Sequence, residues 1–260
     1  MTGKWQHHAS ELPDGCADVV YTDPPYSEHV HSKSRAGARK VPLRNGNGRI
    51  TKCCISREVD FGFEHITQDE REACADLIER VCKRWALVYS DVESAQDWAK
   101  SFCEFEYVRT CAMLVIGGTP QFSSDRPGHG FQALVCMHSK AVLKAWNAGG
   151  KLGVYKALTV IERGGQRHSN NDRVHTTQKD LMHTIEVVQD FTNPGEVVLD
   201  LYCGSATSGV ACLRTGRRYI GFEMRHEMAQ IARDRLTAED NSSSIGAFRA
   251  GQLPLLGAIR

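Results

Sequence analysis

Apolar runs alternate with amphipathic stretches along most of the chain. The runs "DVVY", "ALVYS", "RTCAMLVI", "FQALVCM", "VVLDL" and "YIGFE" are short and largely apolar, which is typical of strands buried on both faces. Between them, apolar residues recur at helical spacing over residues 67–85, 93–102, 178–191 and 226–236. The first of these helices opens on a capping box, Thr67-Gln-Asp-Glu70. This alternation predicts an α/β fold in which helices cover both faces of a mostly parallel sheet.

Two intervals, 27–60 and 140–177, show no such periodicity. The first contains "RNGNGR" and carries eight basic residues between Ser27 and Arg57 against one acid, Glu28. We expect a long, basic, mobile loop, because a connection of that length in a compact domain is usually functional. The net charge of the chain is only +1, so this local cluster is the feature that could contact phosphates.

Length and composition favour one globular domain spanning 1–260. Hydrophobic residues make up 41% and charged residues 24% of the chain, ordinary values for a soluble protein. The ten cysteines form no CxxC pair, which indicates free thiols in a reducing cytoplasm. No signal-peptide pattern or membrane-length apolar run is present, so a cytoplasmic protein that acts without a membrane is expected. His29 with His31, and the adjacent Cys53 and Cys54, offer too few ligands to predict a metal site.

The segment "VVLDLYCGSATSG" reads as a strand, a glycine turn and the start of a helix. Gly204 would let the backbone approach a ligand closely, and Ser205 or Thr207 could donate hydrogen bonds to it. Glu223 ends the next apolar run, where a carboxylate suits the two hydroxyls of a ribose. A tight strand-to-helix connection without a ligand is the alternative. A nicotinamide site is disfavoured because the segment lacks GxGxxG.

A second segment, "VVYTDPPY", ends an apolar run with an acid, two prolines and an aromatic residue. The carboxylate of Asp23 and the carbonyl of Pro24 are acceptors, and the rings of Pro24 and Pro25 fix the backbone that carries them. Tyr26 offers a flat face for stacking. Two rigid acceptors beside an aromatic ring suit the exocyclic amino group of a planar base. The alternative is a proline-stiffened turn.

These residues resemble the β class of amino-group DNA methyltransferases, which act on adenine N6 or cytosine N4. "TDPPY" is similar to their catalytic motif, "VLDLYCGSATSG" with "YIGFEM" to their cofactor site, and "HTTQKDLMHTIEVVQDFTNPGEVVLD" to the segment that closes over the cofactor. The resemblance covers roughly residues 12–236. It implies a Rossmann-like methyltransferase fold with a circularly permuted motif order and S-adenosylmethionine as cofactor.

The resemblance also implies roles for individual residues. The base would be held by a catalytic set of Asp23, Pro24, Pro25 and Tyr26. The cofactor would be bound by Asp200, Tyr202, Gly204, Ser205, Thr207 and Glu223, with its methionine end near Thr177, Gln178 and Lys179. The amino nitrogen would attack the methyl group directly, without a covalent enzyme intermediate.

Three departures from the family pattern concern the cofactor. "GSATS" stands where "GSGTT" is usual, so Ala206 adds a methyl group where the backbone could run close to the ligand. Asp180 replaces the proline of "QKP". The N-terminal stretch is short, so an adenine-ring contact is expected to be absent or supplied from "SIGAFRAGQLPLL".

The expected macromolecular partner is double-stranded DNA, from which the target base must be flipped at a cost of a few kcal/mol. The interval 139–175 is predicted to be a small target-recognition insert. Phosphate and base contacts are expected from the basic loop and this insert, namely Lys33, Arg35, Arg39, Lys40, Arg44, Arg49, Lys144, Trp146, Lys151, Arg167 and Arg173. A homodimer is expected by analogy with the family.

The DPPY form of the motif favours adenine N6 as the acceptor atom. Three alternatives stay open: a cytosine N4 DNA methyltransferase, an RNA or protein amino-methyltransferase, and a weakly active DNA-binding module that keeps the fold.

Overall fold

The computed structural model describes residues 2–28, 39–44, 46–56, 64–116, 130–158, 160–163, 166–169 and 179–241. Its helices are α1 (Trp5–His8), α2 (Gln68–Val81), α3 (Ala95–Ser101), α4 (Leu181–Phe191), α5 (Thr207–Arg214) and α6 (His226–Asp240), with a 3₁₀ turn at Ala9–Glu11. Its strands are β1 (Ala17–Thr22), β2 (Arg39–Arg44), β3 (Ile50–Ser56), β4 (Cys82–Ser90), β5 (Phe105–Ile116), β6 (Phe131–Ser139), β7 (Val154–Leu158), β8 (Val160–Arg163), β9 (Gln166–Ser169), β10 (Val197–Asp200) and β11 (Arg218–Gly221).

Seven strands form the main sheet, in the order β11-β10-β1-β4-β6-β5-β7. All neighbouring pairs are parallel except those that β6 makes with β4 and β5. The predicted α/β fold with a mostly parallel sheet is therefore confirmed. β1 pairs with β10, with Val19 opposite Val198, so two segments far apart in sequence end side by side at the same edge of the sheet.

Both faces of the sheet are covered, which accounts for the almost continuous apolar runs. Val20 lies in a cluster with side chains of α2 and α3, whereas Val19 lies in another cluster with side chains of α4 and α5. Both valines are almost fully buried, because successive side chains of a strand point to opposite faces. Burying a side chain of this size contributes about 1.5–3 kcal/mol.

Side-chain caps fix the beginnings of two helices. The predicted capping box at α2 is confirmed: Glu70 N donates to Thr67 Oγ1 at 3.2 Å, and Thr67 N donates to Glu70 Oε2 at 3.0 Å. At α4 the cap is Asp180, whose Oδ1 accepts from His183 N at 3.1 Å. The residue that departs from the family's "QKP" therefore starts the helix by hydrogen bonding.

The basic interval 27–60 contains regular structure, which corrects the prediction of an irregular loop. β2 and β3 pair in antiparallel register, with Arg39 opposite Ser56 and Lys40 opposite Ile55. Among the described strands, this hairpin has no partner outside itself. A two-stranded ribbon outside the main sheet does not have to bury one face, so it leaves no clear alternation of apolar and polar residues in the sequence.

The interval 139–175 is also more regular than predicted. β7 pairs in parallel with β5 and forms one edge of the main sheet, and β8 pairs with β9. Within β7, Tyr155 and Ala157 are buried while Val154 and Lys156 are exposed. Among the described residues, β7 therefore belongs to the main sheet, and β8 and β9 form a separate two-stranded sheet. In the part of the chain described, no helix is long and apolar enough to cross a bilayer.

Candidate active site

The segment Asp23-Pro24-Pro25-Tyr26 follows directly on β1, and its backbone is tied to two neighbouring segments. Ser27 N donates to Asp91 Oδ2 at 3.0 Å, and Ile66 N donates to Tyr26 O at 3.3 Å. Within the segment, Tyr26 OH donates to Asp23 Oδ1 at 3.2 Å. The rigidity expected from the two prolines is thus supplemented by hydrogen bonds on both sides of the turn.

Asp91 is a structural anchor that the sequence analysis missed. It follows β4, is 4% exposed, and accepts from Ser94 N at 2.9 Å in addition to Ser27 N. Burial raises the pKa of Asp91, but these hydrogen bonds outweigh burial and hold it below its ordinary value. The sequence does contain one sign of this role. Asp91 directly follows the apolar run "ALVYS", as Asp23 directly follows "VVYT" at β1.

Asp200 joins the two conspicuous motifs. Its carboxylate accepts from Thr22 Oγ1 at 3.0 Å, from Ser208 Oγ at 2.6 Å and from Tyr202 N at 3.1 Å. Burial raises the pKa of Asp200 to about 6, against the lowering effect of these bonds. Thr22, the last residue of β1, and Ser208 were not predicted as site residues.

The turn after β10 has a conformation that shows what alanine at position 206 costs. Gly204 has φ +52°, and a Cβ there would meet nothing within 4 Å, so the space in front of it is open. Ala206 also has positive φ, +56°, and is fully buried. Its methyl group is not among the groups that line the open cavity next to this turn. This corrects the expectation that the methyl group could come close to a ligand. Its cost is instead backbone strain of about 1–2 kcal/mol.

Arg235 of α6 supports this turn from behind. Its Nη1 donates to Ser205 Oγ at 2.9 Å and to Thr207 Oγ1 at 3.2 Å, and it also donates to the Ser205 carbonyl. The guanidinium group is almost fully buried. It therefore fixes two of the residues predicted to bind the cofactor, and sequence analysis gave no sign of it because its partners lie about 30 residues away.

Glu223 lies just beyond β11, as predicted, with its side chain 11% exposed. Its Oε1 accepts from Arg225 N at 2.8 Å, and its carbonyl accepts from Gly3 N at 2.9 Å. The N-terminal segment thus runs beside Glu223, and Trp5 packs edge-on against Tyr202 with 6.5 Å between ring centroids. The N-terminal stretch therefore lies on the side of the site next to Glu223. The alternative contributor, "SIGAFRAGQLPLL", lies outside the described residues.

Lys179 lies beside the segment that follows β1. Its Nζ is 3.0 Å from Asp23 Oδ2, 3.0 Å from Tyr26 OH and 2.9 Å from Gln132 Oε1. The amine therefore belongs to the corner formed by Asp23 and Tyr26. Thr177 and Gln178, predicted to lie beside it at the cofactor, are outside the described residues. Burial raises the pKa of Tyr26 well above its ordinary value, and the charge of Asp23 adds to this effect.

One open cavity of about 770 Å³ collects these groups. Its wall includes the segment after β1, the turn after β10 and the segment after β11, that is Asp23, Pro24, Pro25, Tyr26, Asp200, Tyr202, Gly204, Ser205, Thr207 and Glu223. The volume lies within the range of sites that bind cofactors and small molecules. The position at the carboxyl ends of parallel strands is the one expected for this fold class.

The residues predicted to contact DNA divide into separate groups. Lys144 forms an ion pair with Glu106 at the start of β5, and Lys151 is bound by Asp190 and Glu186 of α4. The carboxyl ends of β4 and β5 lie at the cavity. These contacts therefore lie at the opposite end of the strands. Lys144, Trp146 and Lys151 are therefore not among the residues that line the cavity.

Trp146 packs on Phe191 of α4 at 6.1 Å between ring centroids, and its neighbour Ala145 accepts from the Trp85 indole at 2.8 Å. These contacts hold the segment before β7 against the fold. The other predicted contacts are placed less completely: Arg39, Lys40, Arg44 and Arg167 lie on the two hairpins, Arg49 is exposed between β2 and β3, and Lys33, Arg35 and Arg173 lie outside the described residues.

The two histidines considered for a metal site, His29 and His31, also lie outside the described residues. Across the residues that are described, no group of three His, Cys, Asp or Glu side chains is placed to hold a metal ion.

Comparison with known proteins finds a family match over part of the sequence and a similar fold among solved structures. Residues 120–234 match a family model of the N6/N4 type described as DNA methylase. The chain is 39% identical over 69 residues to the Type II methyltransferase M2.DpnII of Streptococcus pneumoniae, a match that covers 26% of each chain. The matches to the curated relatives span about a third of their length or less.

The solved structures that resemble the chain cover it almost completely. The M1.HpyAVI–SAM complex has a TM-score of 0.64 at 17% identity, covering 91% of this chain and 97% of that one. The PvuII DNA methyltransferase, described as cytosine-N4-specific, has a TM-score of 0.59 at 13% identity, covering 96% and 92%. At these identities the likeness shows a shared fold.

Proposed function

We propose, from the premise that the chain carries the DNA methylase domain of the N6/N4 family, that it methylates an exocyclic amino group of a base in double-stranded DNA. The observation that supports this most directly is the junction of the two motifs. Thr22 precedes Asp23 and binds Asp200 at 3.0 Å, so the amino-accepting segment and the glycine turn share one cavity.

The residues present fit S-adenosylmethionine. The open space in front of Gly204 can receive the ligand closely, and Glu223, on the same cavity wall, suits the ribose hydroxyls. Asp200, Tyr202, Ser205 and Thr207 would line the rest of the site. The cofactor supplies an electrophilic methyl group when it is bound.

Asp23 and Pro24 would hold the acceptor base. Their oxygens would accept the two hydrogens of the amino group, and this draws the nitrogen lone pair away from the ring. Because the turn is tied by Asp91 and by the prolines, these acceptors need little reorganisation when the base arrives. Tyr26 would stack on the base, with its hydroxyl fixed by Asp23 and Lys179.

We favour adenine N6 as the acceptor atom, which rests on the DPPY form of the motif. Cytosine N4 is the second candidate, since the PvuII enzyme of similar fold is described as cytosine-N4-specific. Both amino groups would be accepted by Asp23 in the same way.

The β2–β3 hairpin is the proposed contact to DNA phosphates. It belongs to the basic interval that follows the catalytic segment, and it carries Arg49 at an exposed position. Each phosphate contact should appear as a slope of about 0.9 in a plot of log Kd against log salt concentration.

The function is tested by incubating the protein with labelled S-adenosylmethionine and, separately, with duplex DNA, RNA and protein. Mass spectrometry of the digested DNA should find N6-methyladenine. Finding N4-methylcytosine would select the second candidate, and label in RNA or protein only would reject the proposal.

Asp23→Ala tests the chemistry. We expect transfer to fall at least 100-fold, as for removal of a preorganised group in other enzymes, while the Kd for S-adenosylmethionine in equilibrium dialysis stays close to that of the wild type. Asp14→Ala removes an exposed carboxylate elsewhere and serves as the matched control. Transfer at the full rate by Asp23→Ala would contradict the proposed mechanism.

A further inference from the structure

The amine of Lys179 is held in the corner where the target base is expected to enter. It contacts Asp23, Tyr26 and Gln132 at 2.9–3.0 Å, and its side chain is 18% exposed. An ammonium group has three hydrogen-bond donors and no acceptor. All three donors therefore have an oxygen partner, and each partner belongs to a residue of the cavity wall.

The ring of Tyr89 and the capped helix that follows Lys179 fix the position of the amine. Nζ lies 4.4 Å from the ring centroid of Tyr89, a favourable cation–π distance. The Tyr89 hydroxyl is in turn within 3.0 Å of His183 Nε2 and 2.8 Å of Tyr21 OH. The next residue, Asp180, caps α4. A donor held by packing and a capped helix is preorganised for recognition.

Asp23 and Lys179 together present an acceptor beside a donor. The Watson–Crick edge of adenine presents the complement: its amino group donates, and the neighbouring ring nitrogen N1 accepts. Cytosine presents the same pair with its amino group and N3. Guanine and thymine carry a keto oxygen at the corresponding position, and that oxygen would face the Asp23 carboxylate, which can only accept.

We propose that Lys179 reads the flipped base by donating to the ring nitrogen next to the amino group, adenine N1 or cytosine N3. This inference rests on the proposed function. When the base enters, its ring nitrogen replaces one of the oxygen partners of the ammonium group, so no donor is left unsatisfied. Lys179 thus restricts the site to bases with an amino group beside an unprotonated ring nitrogen.

The test uses substrate and protein changes together. The methylated position is first mapped in plasmid DNA, and a duplex oligonucleotide is then made with 1-deazaadenine at that position, or 3-deazacytosine where the mapped base is cytosine. The deaza base lacks only the ring nitrogen. With the wild-type protein it should lower kcat/KM about 10- to 100-fold, the usual effect of losing a hydrogen bond to a charged group.

Lys179→Met should lower kcat/KM on natural DNA by a similar factor, and the deaza base should then cause no further loss. Lys179→Arg keeps a charged donor and should retain part of the sensitivity. Lys179→Gln supplies a second uncharged variant where the methionine variant does not fold. The Kd for S-adenosylmethionine should stay unchanged in each variant, which also reports that it is folded.

Several results would overturn the inference. One is that the deaza base lowers kcat/KM of Lys179→Met by the full factor again. Another is that the deaza base leaves kcat/KM of the wild type unchanged. A rise in the Kd for S-adenosylmethionine equal to the loss in kcat/KM would assign Lys179 to the cofactor instead. These results all require transfer to DNA by the wild type. No transfer to DNA at all would instead show the proposed function, and with it this inference, to be wrong.

Discussion

The buried carboxylate of Asp200 should make the stability of the protein depend on pH in an unusual direction. Its pKa is raised from an ordinary value of 3.8 to about 6, and the residue is 5% exposed. The folded protein therefore holds this proton more tightly than the unfolded chain does. The stabilisation is fully present below pH 3.8 and is lost as the pH rises through about 6.

The size of the effect follows from the shift. A difference of about two pH units corresponds to about 3 kcal/mol over the whole titration, and about half of it falls between pH 5 and 7.5. Asp200→Asn keeps the shape of the side chain and an acceptor for Thr22, but it removes the ionisation. The unfolding free energy of the variant should therefore rise by about 1.5 kcal/mol relative to that of the wild type between pH 5 and 7.5. This difference does not depend on which protein is more stable at any single pH.

Urea denaturation at a series of pH values measures this difference directly. The unfolding free energy of the wild type should fall relative to that of Asp200→Asn as the pH rises from 5 to 7.5. Asp76→Asn, which removes an exposed carboxylate from α2, should follow the wild-type profile. Parallel profiles for wild type and Asp200→Asn would refute the reasoning, since the buried carboxylate would then carry no raised pKa.

Three further substitutions test the support of the site and its placement. Asp91→Ala removes the acceptor of Ser27 N and should lower the unfolding free energy by about 2–4 kcal/mol; an unchanged urea midpoint would show that this anchor is dispensable. Arg235→Met removes the donor to Ser205 and should cost about 1.5–3 kcal/mol and weaken S-adenosylmethionine binding in equilibrium dialysis, whereas an unchanged Kd would separate Arg235 from the cofactor turn. Lys144→Gln should leave the Kd for duplex DNA unchanged in a filter-binding titration, because its ion pair lies at the end of the strands away from the cavity. A tenfold higher Kd would show that Lys144 contacts DNA.

The sequence could predict those elements whose cause lies within a few residues. β1, β4 and β10 are buried on both faces, so their apolar runs were visible. The capping box at Thr67 and the acceptor chemistry of Asp23 and Pro24 are likewise local. The hairpin β2–β3 escaped prediction because a ribbon paired only with itself requires no buried face. β7 escaped because the strand is only five residues long, too short for its alternation to stand out.

Contacts between distant segments were decided by the tertiary structure. Thr22 binds Asp200 because β1 lies next to β10, and Asp91 holds the turn after β1 because β4 lies on the other side of β1. Lys179, just before α4, likewise meets Asp23 across a long stretch of sequence. Residue types and spacing specify what a side chain can donate or accept. Which partner it meets depends on the order and register of strands, and the hydrophobic pattern of a single chain is compatible with many such orders.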